Sequence, residues 1–142
     1  MKNPKVIFHA ISYLQYPIIL VAIYYYVIFI ISFKSGVIWS ELNNCLVFIG
    51  ISLSISTLQD TSKTQNKLSK KVWESPKKGK LVLIIMASMA AIFLIIGVIG
   101  YIYINENTLK EISFGLIVLA IGLIGVLKSA IEMFENHRKD KN

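Results

Sequence analysis

From Ile11 to Phe33 the chain carries no formal charge. A helix rises about 1.5 Å per residue, so about 20 apolar residues cross a hydrocarbon core some 30 Å thick. A helix that is apolar all round, as this one would be, has no face to show to water. That stretch sets the solvent of the fold as lipid. A secretory signal would have an apolar core of about 7–15 residues and a small-residue cleavage site. This run is longer and ends in Phe33-Lys34-Ser35-Gly36, so a retained span is expected.

Three further apolar runs follow, and the spans are expected at about 11–33, 37–58, 81–104 and 112–134. Lys34-Ser35-Gly36 and Asn105 to Glu111 read as the outer turns, and residues 58–80 as a basic bridge. The expected fold class is an all-α membrane protein, residues 1–142 forming a single four-helix transmembrane bundle of two hairpins. In the first span Pro17 should bend the helix or mark its ordered start. Its tyrosines sit near both ends, Tyr13 and Tyr16 early and Tyr24 to Tyr26 late, as in interfacial belts.

Charge sets the orientation. The chain has 15 Lys and Arg against 8 Asp and Glu, a net charge of +7, and only 16% charged residues, where a soluble domain carries about 25%. A basic chain invites a nucleic-acid reading, but lysines flanking apolar spans are better explained by the positive-inside bias of membrane proteins. Nucleic acid is therefore not the expected partner. Four spans put both termini and the bridge on one side, with thirteen of the fifteen cations. The expected location is the cell membrane, plasma or inner, multi-pass, with both termini cytoplasmic.

The second span is the least apolar. Glu41, Asn44, Cys45, Ser52, Ser56 and Gln59 recur at three-, four- and seven-residue spacings, which places them near one helical face. Lipid offers such groups no partner, so the face should point at protein or at a water-filled path. Lys63, Lys67, Lys70 and Lys71 continue the spacing, which predicts one long second helix reaching into the cytoplasm toward Trp73 and ended by Ser75-Pro76. Small residues let helices approach closely in lipid. Ala87 and Ala91 form such a patch on the third span, and Gly115, Gly122, Gly125 and Ser129 one on the fourth. The tail EMFENHRKDKN reads as a frayed helix end.

Enzyme signatures are missing: no phosphate-binding glycine loop, no GxSxG and no HExxH. The one cysteine, Cys45, and the two terminal histidines, His9 and His137, have no metal-ligand spacing. The chain is therefore read as neither an enzyme nor a cofactor or metal carrier. Glu41 has a plain reading, in which it reaches the outer headgroups or pairs with Lys34 or Lys110. In the sharper one Glu41, Asn44, Ser52, Ser56 and Gln59 line a polar path through a homo-oligomer, which forms or gates a channel. The basic face of Lys63, Lys67, Lys70 and Lys71 offers the alternative, a membrane anchor or adaptor that holds anionic lipid or an acidic cytoplasmic protein.

In layout alone the chain resembles small four-span proteins: holins, phage-exclusion proteins, membrane effectors of bacterial defence systems and small multidrug transporters. The last carry a membrane-embedded Glu in the first span, and this first span has none.

Overall fold

A computed structural model describes residues 4–33, 39–62 and 67–141. Among the described residues all regular structure is helical: α1 (Pro4–Ser12), α2 (Gln15–Ser32), α3 (Trp39–Ser56), α4 (Lys67–Trp73), α5 (Pro76–Tyr103) and α6 (Asn107–His137), then a single 3₁₀ turn (Lys139–Lys141).

The break between α1 and α2 follows from Pro17. Proline has no N–H, and its ring crowds the carbonyl four residues back, here that of Tyr13. The chain tightens there. Leu14 N–H donates to Ile11 O at 3.0 Å and Tyr16 N–H to Tyr13 O at 3.2 Å, both across three residues. Ser12 Oγ, buried at the junction, donates to His9 O at 2.7 Å.

The second helix does not run on toward Trp73 as its lysine spacing predicts. It stops at Ser56. Ser56 Oγ donates to Leu53 O at 2.6 Å and Thr57 Oγ1 to Ser54 O at 2.7 Å. Hydroxyls that take helix carbonyls in this way offer the backbone an alternative to the next helical turn. Asp60 then closes a side-chain turn, its Oδ1 accepting from Ser62 N–H at 3.0 Å and from Ser62 Oγ at 2.6 Å. The lysines recur on a separate short helix, α4, and Lys63 lies outside the described residues. Pro76 opens α5 at its first turn, where its missing N–H costs nothing.

The four long helices stand in a row in the order α2, α3, α6, α5, which is not a closed bundle. α2 and α3 form an antiparallel hairpin through aromatic rings. Tyr25 stacks on Phe48 with centroids 5.6 Å apart, and Phe29 meets Trp39 at 6.2 Å. α5 and α6 form the second hairpin, with Gly79 under the Phe134 ring and Gly97 and Gly100 against Ser113.

The seam between the hairpins is α3 on α6, and those two helices run parallel. A Cβ added at Gly115 would meet Asn43 Oδ1 at 2.7 Å, and one at Gly50 would meet Val118 O at 2.6 Å. Ser129 Oγ donates to Thr57 O at 3.3 Å. Residues seven apart, Asn43, Gly50 and Thr57, therefore face residues seven apart, Gly115, Gly122 and Ser129. This is the seam of a heptad-like packing. On α5 the small residues sit differently from expectation: Ala90 is buried, while Ala91 beside it is exposed and Ala87 half-buried.

Three stretches are long and apolar enough to cross a membrane: Val6–Ser32, Pro76–Tyr103 and Asn107–His137. They are the elements of a multi-pass membrane protein. α3 is not among them, because Glu41, Asn43 and Asn44 make its first turns polar. Its position compensates for its composition. α3 lies between α2 and α6, and only Ile51 and Ser54 along it are exposed, whereas α5 exposes Ile84, Ile85, Ile92, Ile95, Ile96, Ile99 and Ile102. Polar groups are costly in lipid, and the row keeps them behind two apolar neighbours.

Candidate functional site

The parallel seam brings the exits of α3 and α6 to the same end as the starts of α2 and α5, called here the basal end. A cavity of about 490 Å³ lies there, bordered by Gln15 and Tyr16 of α2, Ser52 and Ser56 of α3, Ser69 and Trp73 of α4, Met86 of α5, and Ser129 and Met133 of α6. The size is that of a small-molecule site. The loop after α3 adds Thr57, Gln59, Asp60 and Thr61.

α4 forms the floor. Trp73 packs on Ala130 and Phe134, and its Nε1–H donates to Ser69 Oγ at 2.9 Å. Phe134 is 3% exposed, a burial worth about 2–3 kcal/mol. The Phe134 ring can come this close to α5 because Gly79 there has no side chain. α4 is also fastened to the chain's tail. Lys139 Nζ lies 2.9 Å from Glu74 Oε2, Lys70 Nζ 3.7 Å from Oε1, and Lys139 N–H donates to Glu74 O at 3.3 Å. These cations hold the Glu74 carboxyl below its ordinary range, the Lys139 hydrogen bond being the largest cause. The tail expected to fray is thus pinned to α4.

The residues predicted to line a polar path are divided between two places. Ser52, Ser56 and Gln59 border the cavity; Glu41 and Asn44, at the other end of α3, do not. Ser52 is buried and its Oγ donates to Gln15 O at 3.1 Å, tying α3 to the start of α2. Among the described residues Glu41 Oε2 is buried without a hydrogen-bond partner, and so is Asn43 Oδ1, which faces Gly115; Lys34, one of the two lysines expected to pair with Glu41, lies outside them. Lys110 does not serve Glu41: its ammonium sits 5.0 Å from the centre of the Tyr101 ring. Between the two places the seam closes to backbone contact, Gly122 lying directly on the Gly50 carbonyl. The predicted small-residue stripe of α6 lies on this seam, with Gly125 against the Thr57 methyl group.

Lys67, Lys70 and Lys71 are exposed and do not border the cavity. The spacing of the polar face did not single out Asn43, Gly50, Thr57 or Trp73. The seven-residue match between Asn43, Gly50, Thr57 and Gly115, Gly122, Ser129 is present in the sequence, but nothing in it says that α3 and α6 are neighbours. Among the described residues no group of three or more His, Cys, Asp or Glu could hold a metal ion. Comparison with family models, curated proteins and solved structures gives no match.

Proposed function

We propose that the protein is a multi-pass membrane protein of the cell membrane, with α3 as a fourth crossing element, both termini cytoplasmic, and a polar path that it forms or gates along the α3–α6 seam. One observation carries this reading: polar compartments lie above and below a glycine waist on the same seam. Below the waist is the basal cavity; above it are the unpartnered oxygens of Glu41 and Asn43. Buried polar atoms without partners are rare and point to function, the more so in a lipid-facing chain. Contact of Gly50 with Gly122 makes this the shut form of such a path.

The row of helices is open on two broad faces, where Ile51 and Ser54 of α3 and Phe114, Ile121 and Ile124 of α6 are exposed. A second copy laid on such a face would wall the seam, which supports a homo-oligomer as the working unit. In proteoliposomes the wild-type chain should pass a small ion, and both Glu41→Gln and Ser52→Leu should change that flux. Wild-type-like flux from both variants, or no flux at all, would remove the proposal.

The anchor or adaptor reading draws on a separate observation, the exposed lysines Lys67, Lys70, Lys71, Lys77, Lys78 and Lys80 at the basal end. Such clusters gain about 1 kcal/mol per residue from an anionic lipid surface. Reversing Lys67, Lys70 and Lys71 to Glu should abolish binding to anionic vesicles or an acidic partner. Unchanged binding would remove this reading.

A further inference from the structure

Which sign of charge the basal cavity takes follows from where its hydroxyl protons go. A serine or threonine hydroxyl has one proton to donate and two lone pairs to accept with. Six serine and threonine side chains border the cavity, and each directs its proton at a neighbouring protein atom; the phenol of Tyr16, a seventh hydroxyl, can give or accept a proton. Ser52 donates to Gln15 O at 3.1 Å, Ser56 to Leu53 O at 2.6 Å, Thr57 to Ser54 O at 2.7 Å and Ser129 to Thr57 O at 3.3 Å. Thr61 points its proton at Glu132 Oε2, 3.5 Å away, and Ser69 at Met133 Sδ, 3.8 Å away. The indole N–H of Trp73 is also committed, to Ser69 Oγ. What these groups present to an occupant is oxygen lone pairs.

Other groups on the wall agree in sign. Among the described residues that border the cavity, Asp60 is the one with a formal charge at neutral pH, and it is an acid. Tyr16 and Trp73 contribute aromatic rings, whose faces attract cations. Gln15 and Gln59 carry both donor and acceptor and decide nothing. Among the described residues the nearby lysines stay outside the lining. Lys70 and Lys139 are engaged with Glu74, and Lys128 lies 3.4 Å from Glu132.

We infer that the basal cavity is a site for a monovalent cation. Its occupant is an alkali ion with its hydration water or a small organic ammonium. A single carboxylate is too little charge for a divalent ion, which gathers several such oxygens. The volume exceeds what a bare ion fills, since one water occupies about 30 Å³. The inference deepens the polar-path reading, on which it rests for the cavity's place in a path.

The chain has two tryptophans, Trp39 and Trp73, so Trp39→Phe leaves Trp73 as the sole indole reporter at the cavity. The full chain in mild detergent is titrated with potassium chloride and with tetramethylammonium chloride, and then with the potassium salts of sulfate and gluconate. The expected result is a saturable fluorescence change that follows the cation and ignores the anion. Asp60→Asn should weaken it on the order of tenfold, as for loss of a charged partner, while the amide oxygen keeps the turn with Ser62. A stronger response to tetramethylammonium assigns the organic ammonium; a stronger response to potassium assigns the alkali ion. A response that follows the anion overturns the inference, as does the lack of any saturable response to either cation, with calorimetry on the unsubstituted chain as the check. In proteoliposomes, anion-selective flux would overturn the cation site and leave the path standing. Cation binding without flux would do the reverse.

Discussion

The glycine waist makes a quantitative demand on Gly50→Ala. In an isolated helix this change is favourable by about 1 kcal/mol, because glycine loses more backbone freedom than alanine. Here the new Cβ would lie 2.6 Å from Val118 O, 2.7 Å from Val118 C and 2.8 Å from Leu119 N, where ordinary contact begins at 3.4 Å. All three are backbone atoms of α6 and cannot rotate away, so the two helices must separate by about 0.8 Å at this point. Overpacking of this kind costs about 1–3 kcal/mol, and close packing is what holds helices together in lipid. Three backbone atoms under 3.0 Å put the clash in the upper part of that range, about 2–3 kcal/mol, so after the propensity gain a net loss of about 1–2 kcal/mol is expected. Gly122→Ala opens the same contact from the other side. Once the helices have moved apart for one alanine the second costs less, so the double variant should lose less than the sum of the singles. Gly125→Ala is the internal comparison. Its Cβ would meet the Thr57 side chain, the methyl carbon nearest at 2.9 Å, and no backbone atom of α3 as close, so its loss should be smaller. Thermal unfolding in detergent, followed by circular dichroism, measures all four. A Gly50→Ala chain as stable as wild type or more so, or additive losses in the double variant, would refute the crossing of α3 and α6 at this point.

Two other outcomes follow from local geometry. Pro17→Ala restores the missing N–H and should join α1 to α2, raising helicity while displacing Gln15 O from Ser52; amide exchange at residues 13–17 would slow, and unchanged exchange there would count against the proline as the cause of the break. Because Glu74 has a lowered pKa in the folded chain, the hold between α4 and the tail is present above the ordinary carboxylate range and is lost as pH falls through the depressed value, so hydrogen exchange of residues 67–73 should speed up over that acid range in wild type and be fast throughout in Glu74→Gln.

The sequence alone determined the solvent, the helical class and the approximate positions of the apolar helices. Those properties depend on runs of residue type, and a run such as Ile11–Phe33 or Leu81–Ile104 is visible without knowing its neighbours. It also marked Pro17 and Pro76 as the places where helices end or begin, because proline acts through its own backbone. Where α3 ends was not legible. The spacing of the bridge lysines continues that of Glu41 to Gln59, and only the hydroxyls of Ser56 and Thr57 taking carbonyls, with Asp60 closing the turn, stop the helix at Ser56. The order of the row was decided by tertiary structure as well. The seven-residue repeat Asn43, Gly50, Thr57 in α3 and the repeat Gly115, Gly122, Ser129 in α6 are each only half of a contact, and their pairing depends on how two hairpins dock. The same holds for the cavity's preference in charge. Residue types name oxygens that can either give or accept a proton, and only the neighbouring carbonyls in the folded chain fix which of the two is left to face an occupant.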